Sequence, residues 1–341
     1  MTSNSKFRSA LLIFCTILVF LISIGLGRYY VPLPDLIKIL LSTFIKIPHT
    51  WSPTMSTVVL NVRLPRLIMV ALVGAALAVS GASFQAILKN PLVSSDILGV
   101  SAGAGFGAAA AIYFNMNVIS VQILAIVVGV AAVGMAYAIY SLTRKSSTLI
   151  LVLSGIIIGS FFSALVSLMK FLANQSASNN QAFTAIVFWL LGSFSTAGTY
   201  ANVIEFGPPI LVGIVILVLL RWRINVLSLE DTEAKALGVN VKRDQGIVIF
   251  FATLITASAV SVAGLVGWVG LFVPHVARML VGSNNSKVVP ASILIGISFL
   301  VAIDDIARTL TQYEIPIGIL TAVIGLPLFA YLLVRQKVGW S

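Results

Sequence analysis

Long apolar runs, each ended by a short polar or charged stretch, fill most of the chain. About 20 apolar residues are enough to cross a bilayer as a helix. The pattern predicts ten membrane segments: Ala10–Leu26, Leu67–Leu88, Ile97–Phe114, Val118–Ser141, Thr148–Leu172, Val203–Trp222, Gln245–Ala263, Val269–Val281, Val288–Ile306 and Ile317–Val334. The eighth is short and carries Pro274, which marks it as a broken or partial span. A further apolar stretch, Phe183–Leu191, is too short to cross and reads as a re-entrant or interfacial helix. No run alternates apolar and polar residues with the period of a barrel strand. The expected fold class is an all-α polytopic membrane protein, with residues 1–341 as a single transmembrane domain.

Composition agrees with this reading. The chain is 59% hydrophobic and only 9% charged, with a mean hydropathy of +1.08. A soluble domain carries about 25% charged residues. The net charge of +11 is unevenly placed. With the N-terminus inside, the inner loops hold twice as many Lys and Arg as the outer ones, among them Lys89, Arg144, Lys145, Lys235, Lys242 and Arg243. Ten spans then put both termini in the cytoplasm. No basic stripe interleaves with aromatics, so nucleic acid drops out as a partner. Lys6 and Arg8 precede the first run as in a signal peptide, but that run is longer than a signal core and many spans follow, so it reads as a retained first helix. The one cysteine, Cys15, permits no internal disulfide and no thiolate cluster, and reads as a small packing or lipid-facing residue.

One inner loop departs from the pattern. "LSLEDTEAKALGVNVKRD", Leu227 to Asp244, carries Glu230, Asp231, Glu233, Lys235, Lys242, Arg243 and Asp244. Ser228 is suited to cap a helix, with Asp231 three residues on, and Gly238 is suited to end it in a left-handed conformation. The spacing predicts a short surface helix, Leu229–Leu237, whose Leu229, Ala234 and Leu237 face either a partner or the protein's own core. A second short turn is expected near Val241–Asp244. The loop reads either as a solvated connector or as a docking element for an energy-supplying partner. The chain has no GxxxxGK[ST] phosphate loop, so an ATPase driving it would be another polypeptide. Elsewhere, "VGAALAVSGASFQ" (Val73–Gln85) and "GVSAGAGFGAAAA" (Gly99–Ala111) are rich in small residues that let helices approach closely in lipid.

Several long motifs occur in an order that resembles the permease subunits of type II ABC importers for iron-siderophore, haem and vitamin B12, the FecCD-type family. They are "RLPRLIMVALVGAALAVSGASFQAILKNPLVSSDILGVSAGAG" (Arg63–Gly105), "LVLSGIIIG" (Leu151–Gly159), "LEDTEAKALGVNV" (Leu229–Val241), "GLVGWVGLFVPHVAR" (Gly264–Arg278) and "EIPIGILTAVIGLPLFAYLL" (Glu314–Leu333). The resemblance implies ten helices per subunit, two permeases around a central path, two ATPase subunits below and an extracytoplasmic substrate-binding protein above. It implies no cofactor on this chain, with ATP and Mg held by the partner ATPase, and a place in the bacterial cytoplasmic (inner) membrane.

The resemblance also implies site roles. The segment with Leu229, Glu230, Glu233, Ala234, Leu237 and Gly238 corresponds to the coupling helices that seat in the ATPase. Arg63, Arg66 and Arg308 match arginines that pair with glutamates of the binding protein, as planar guanidinium forks can; the alternative is anchoring at the membrane interface. Asp304, four residues before Arg308, matches a structural pair, and Asp305 is expected to be water-exposed at the rim. The path is expected along the fifth and tenth segments, with Ser154, Gly155, Gly159, Ser163, Thr321 and Gly325 as candidates. The turn at Ser146, Ser147 and Thr148 matches a cytoplasmic gate. His275 reads as structural, and Trp268 departs from a common Phe.

Two other classes fit the sequence less well. A secondary transporter or channel needs acids or cations within its spans, and these runs offer almost none. An intramembrane enzyme needs a nucleophile with a base, or a metal cluster; two histidines and one cysteine, far apart, argue against both. Among cargoes, iron-siderophore, haem and cobalamin stand ahead of oxyanions such as molybdate or tungstate. The path reads as neutral and lined by small residues, which discriminates none of them.

Overall fold

A computed structural model describes residues 2–143, 148–175, 180–195 and 198–335. The expected gate residues Ser146 and Ser147 lie outside them. The described residues form helices joined by short connections, with no strand among them. In chain order the helices are α1 (Thr2–Gly25), α2 (Leu33–Ser42), α3 (Pro53–Ser56), α4 (Leu64–Ile87), α5 (Val100–Tyr113), α6 (Val118–Leu142), α7 (Thr148–Gln175), α8 (Asn180–Leu191), α9 (Tyr200–Leu219), α10 (Arg221–Leu227), α11 (Asp231–Ala236), α12 (Val241–Ala263), α13 (Val269–Val281), α14 (Asn285–Thr309) and α15 (Ile317–Arg335). A π-helical stretch, Thr57–Arg63, joins α3 to α4.

Among the described residues, seven helices are long and apolar enough to cross a membrane. The remaining three predicted spans are realised as shorter helices, α5, α13 and the apolar part of α15. The short stretch at Phe183 becomes α8. Three departures have local causes. The sixth span ends at Leu219, and the chain restarts as α10 before reaching the charged loop. The turn expected at Val241–Asp244 is the first turn of α12, capped by Asn240, whose side chain accepts from the Arg243 N–H at 3.2 Å. The amphipathic α2, which buries Leu36 and Ile39, was not anticipated because it is too short to read as a span.

α4 is the axis of the bundle. Of its apolar window, 83% is buried, against 17% for the peripheral α1. It packs against α9, α12, α13 and α14, while α5, α6 and α7 form a neighbouring layer and α1 lies on α14. The small residues expected to permit close crossings do so. A Cβ added at Gly81 would lie 1.9 Å from the Gly270 carbonyl oxygen, and one at Gly74 would lie 2.5 Å from that of Gly296. At its outer end, Pro65 cannot donate to the preceding turn and its ring crowds that turn's carbonyl. The π stretch widens the helix there and keeps Pro53–Ile87 continuous.

Where helices stop within the bundle, backbone groups pair across elements. Ser193 N–H donates to the Ala263 carbonyl at 2.9 Å, and Ile317 N–H to that of Gly192 at 3.0 Å. These bonds tie the ends of α8 and α12 to the start of α15. They supply the partners that lipid would not.

Candidate functional site

The charged side chains gather at the two ends of α4, which is about 36 Å long at 1.5 Å per residue. At the outer end, Arg66 is buried and its guanidinium reaches Asp304 and Glu314, each at 2.8 Å. Arg63 is 4% exposed and donates to the carbonyls of Ile24 (2.8 Å), Gly25 (3.0 Å) and Tyr29. Arg308 donates to the carbonyls of Ser23 (2.7 Å) and Leu26 (2.8 Å), to the Ser23 hydroxyl (2.9 Å) and to Asp305. Helix ends leave several carbonyls without intrahelical partners. Arg63 and Arg308 together satisfy those at the end of α1.

The sequence marked these three arginines as groups free to meet a partner's carboxylates. In this conformation each is buried and engaged by acceptors of the chain itself. The expected Asp304–Arg308 pair is present at 3.5 Å. Asp305 is not water-exposed: it is 9% exposed, accepts from the Ser23 hydroxyl at 2.6 Å and pairs with Arg308. Its burial follows from α1 packing on α14, a contact between distant parts of the chain.

At the inner end, the charged loop folds as α10 and α11. Ser228 does not cap α11. Its hydroxyl donates back to the Asn225 carbonyl at 2.7 Å, continuing the end of α10. The cap is Glu230, whose backbone N–H donates to the Glu233 carboxylate at 3.3 Å. Gly238 ends the helix with φ +79°. Ala234 is buried, whereas Leu229, Glu230, Glu233, Leu237 and Gly238 are exposed. The helix is tethered on one side, where Lys89 meets Asp231 at 2.8 Å, and at the base of α12, where Arg223 meets Asp244 at 3.1 Å.

Between these ends lies a cavity of about 650 Å³ beside α7, lined by Gly155, Ile156, Gly159, Ser160 and Ser163 of α7, by the start of α5 with the residues before it, and by the loop at 265–267. Three expected path residues, Gly155, Gly159 and Ser163, line it. Gly155 is required: a Cβ there would lie 2.4 Å from the Ile97 carbonyl oxygen. Ser154 is turned away and donates to the Ile150 carbonyl at 2.8 Å. Thr321 is buried and donates to Gly318. Gly325 is buried against Trp268. All three lie apart from this cavity.

The sequence reading missed Asp96. It stands in the loop between α4 and α5, lines the cavity and accepts from the Ser101 hydroxyl. Burial pushes its carboxyl up from the ordinary aspartate range, and the Ser101 bond acts the other way. Its position beside the glycine-rich start of α5 was the available signal. Thus the wall carries an ionisable group where only small neutral residues were expected. His275 is buried in α13, its ring edge-on to Phe329 with centroids 5.5 Å apart, as a structural role requires.

A bundle of apolar membrane helices with a cavity lined largely by small residues and a charged helix at one end has the build of a membrane permease. The chain belongs to the FecCD transport family, which it matches over residues 15–335. It is an ABC-transporter permease and a multi-pass protein of the bacterial cytoplasmic membrane. It is 39% identical over 320 residues, 93% of this chain and 92% of the relative, to the molybdate import system permease protein MolB of Haemophilus influenzae. It is 40% identical over 286 residues, 83% of this chain and 84% of the relative, to a Helicobacter pylori permease protein assigned to iron chelatin transport. Its fold superposes with a TM-score of 0.85 and 37% identity on an ABC transporter assigned to the metal-chelate type, in an inward-facing conformation, covering 97% of this chain and 99% of that one.

Proposed function

We propose that this chain, paired with a second copy of itself, forms the membrane path of a binding-protein-dependent importer of a metal chelate: an iron-siderophore, haem or cobalamin. Two copies of a separate ATPase carry the ATP and Mg. The chain itself needs no cofactor and hydrolyses nothing. An extracytoplasmic binding protein delivers cargo to the outer rim. There Arg63, Arg66 and Arg308 hold the ends of α1, α4 and α14 in register, and the part-exposed Arg66–Glu314 pair offers charge to the docking protein.

The observation that carries the reading is the geometry of α11. The exposed Leu229 just before this helix and Leu237 at its C-cap offer apolar contacts on either side of a charged, water-facing segment. Lys89 then links it through the loop at 88–99 to the cavity wall. A push on α11 by a closing ATPase has a short route to the path, through this ion pair and then along the loop.

The test is reconstitution in proteoliposomes with the cognate ATPase and binding protein. ATP hydrolysis stimulated by the loaded binding protein, and lost together with ATPase association in Leu237→Asp, is the expected result. Transport by the chain alone would overturn it. Charge reversal at Arg63 or Arg66 is a poor probe of docking, because both are buried in internal bonds. A second reading, import of an oxyanion, is supported by the likeness to the molybdate permease. Comparing ferric siderophore, haem, cobalamin and molybdate separates the two.

A further inference from the structure

Asp96 is the one ionisable side chain among the described residues that line the α7 cavity; the others are Gly, Ala, Ser, Ile, Leu and Val. It is held from two directions. The Gly99 N–H donates to its backbone carbonyl at 2.8 Å, and the Ser101 hydroxyl donates to its carboxylate. These bonds fix the carboxylate at the start of α5, in the wall shared with Gly155, Gly159, Ser160 and Ser163.

An ionised carboxylate accepts hydrogen bonds and donates none. In a cleft with low-dielectric walls, a single sign of charge focuses the field and concentrates the opposite ion. Burial works against ionisation of Asp96, and the Ser101 hydroxyl and the positive N-terminal end of α5 work for it; once ionised, the full charge of the carboxylate outweighs the roughly half charge of the helix end. The serine hydroxyls can donate or accept and so favour neither sign.

We infer that Asp96 is a specificity-determining residue that makes this cavity cation-favouring. It suits chelates that present positive charge or amine and hydroxyl donors, and disfavours oxyanions such as molybdate. The inference rests on the cavity being the transport path.

The test reads the potential of the cavity without knowing the cargo. Cys15→Ala removes the only cysteine of the chain. Ser160→Cys then places a single reporter in the cavity. The full chain with its ATPase, in proteoliposomes at about pH 8 and again at about pH 9 because burial pushes the Asp96 carboxyl above the ordinary aspartate range, is treated with a cationic and an anionic methanethiosulfonate. Each rate is divided by that reagent's rate with a free thiol.

The cationic reagent should be favoured roughly tenfold. The preference should vanish in Asp96→Asn, which keeps an acceptor for Ser101, and persist in Asp96→Glu, which keeps the charge. A reporter at Leu237→Cys, on the exposed inner helix, should not respond to Asp96→Asn. Equal normalised rates, a preference that survives Asp96→Asn, or no reaction with either reagent would overturn the inference. Any of these leaves association with the ATPase intact, and that association is what the transporter reading requires.

Discussion

The guanidinium of Arg66 lies 2.8 Å from the carboxylate of Asp304, joining the outer ends of α4 and α14 at a site where the aspartate is fully buried. Glu314 closes the fork from the other side. Removing one member of a buried pair leaves the other charge uncompensated, which costs about 3–5 kcal/mol. Arg66→Met and Asp304→Leu should each destabilise the detergent-solubilised chain by that order, read as a lower thermal unfolding midpoint. Arg66→Met combined with Asp304→Leu should cost less than either single change, because no charge is left buried. Additive losses in the double-mutant cycle would show that the two side chains are not coupled.

The end of α1 offers a second test. Arg63 and Arg308 donate to the carbonyls of Ser23, Ile24, Gly25 and Leu26. Hydrogen bonds from a charged donor contribute about 1.5–3 kcal/mol each. Arg63→Ala is expected to raise amide exchange in the connection after Gly25 while leaving α11 unchanged. Equal exchange in wild type and variant would mean that apolar packing alone holds α1.

The crossing of α4 with the start of α13 leaves no room for a methyl group. Gly81→Ala would place carbon 1.9 Å from the Gly270 carbonyl oxygen. Overpacking of this kind costs about 1–3 kcal/mol or more. Gly134→Ala on α6 meets nothing within 4 Å and should be neutral or stabilising by up to about 1 kcal/mol. Parallel thermal melts of the two variants check the contrast.

Lys89 and Asp231 connect α11 to the loop that carries Asp96. Both are substantially exposed, so little stability is at stake, about 0–1 kcal/mol. Coupling is the expected casualty. Lys89→Asp should retain ATPase association but lose much of the transport per ATP hydrolysed, and Lys89→Asp with Asp231→Lys should regain part of it. A transport-to-hydrolysis ratio unchanged in Lys89→Asp would assign the link no role in transmission.

Hydropathy placed the spans and the charged loop, and the bias of Lys and Arg between loops set their expected direction, because lipid and water sort residues by local composition. The eighth span, Val269–Val281, matched its expected bounds. The cap of α11 was misplaced by two residues, because a serine that can cap a helix can equally bond back into the preceding one.

Which charges are free was not legible in the sequence. Arg66 and Asp304 stand 238 positions apart, and Ser23 and Asp305 stand 282 apart. No local pattern announces such pairs, so the sequence could not show that the rim arginines are, in this conformation, engaged by acceptors of the chain itself. Asp96 is the converse case. In the sequence it is one polar residue before a span; in the structure the approach of α7 at Gly155 turns it into the wall of a cavity. Composition determined that the chain lives in the membrane and how it crosses. Only the packing of distant helices decided which of its few charges are spent internally and which one lines the α7 cavity.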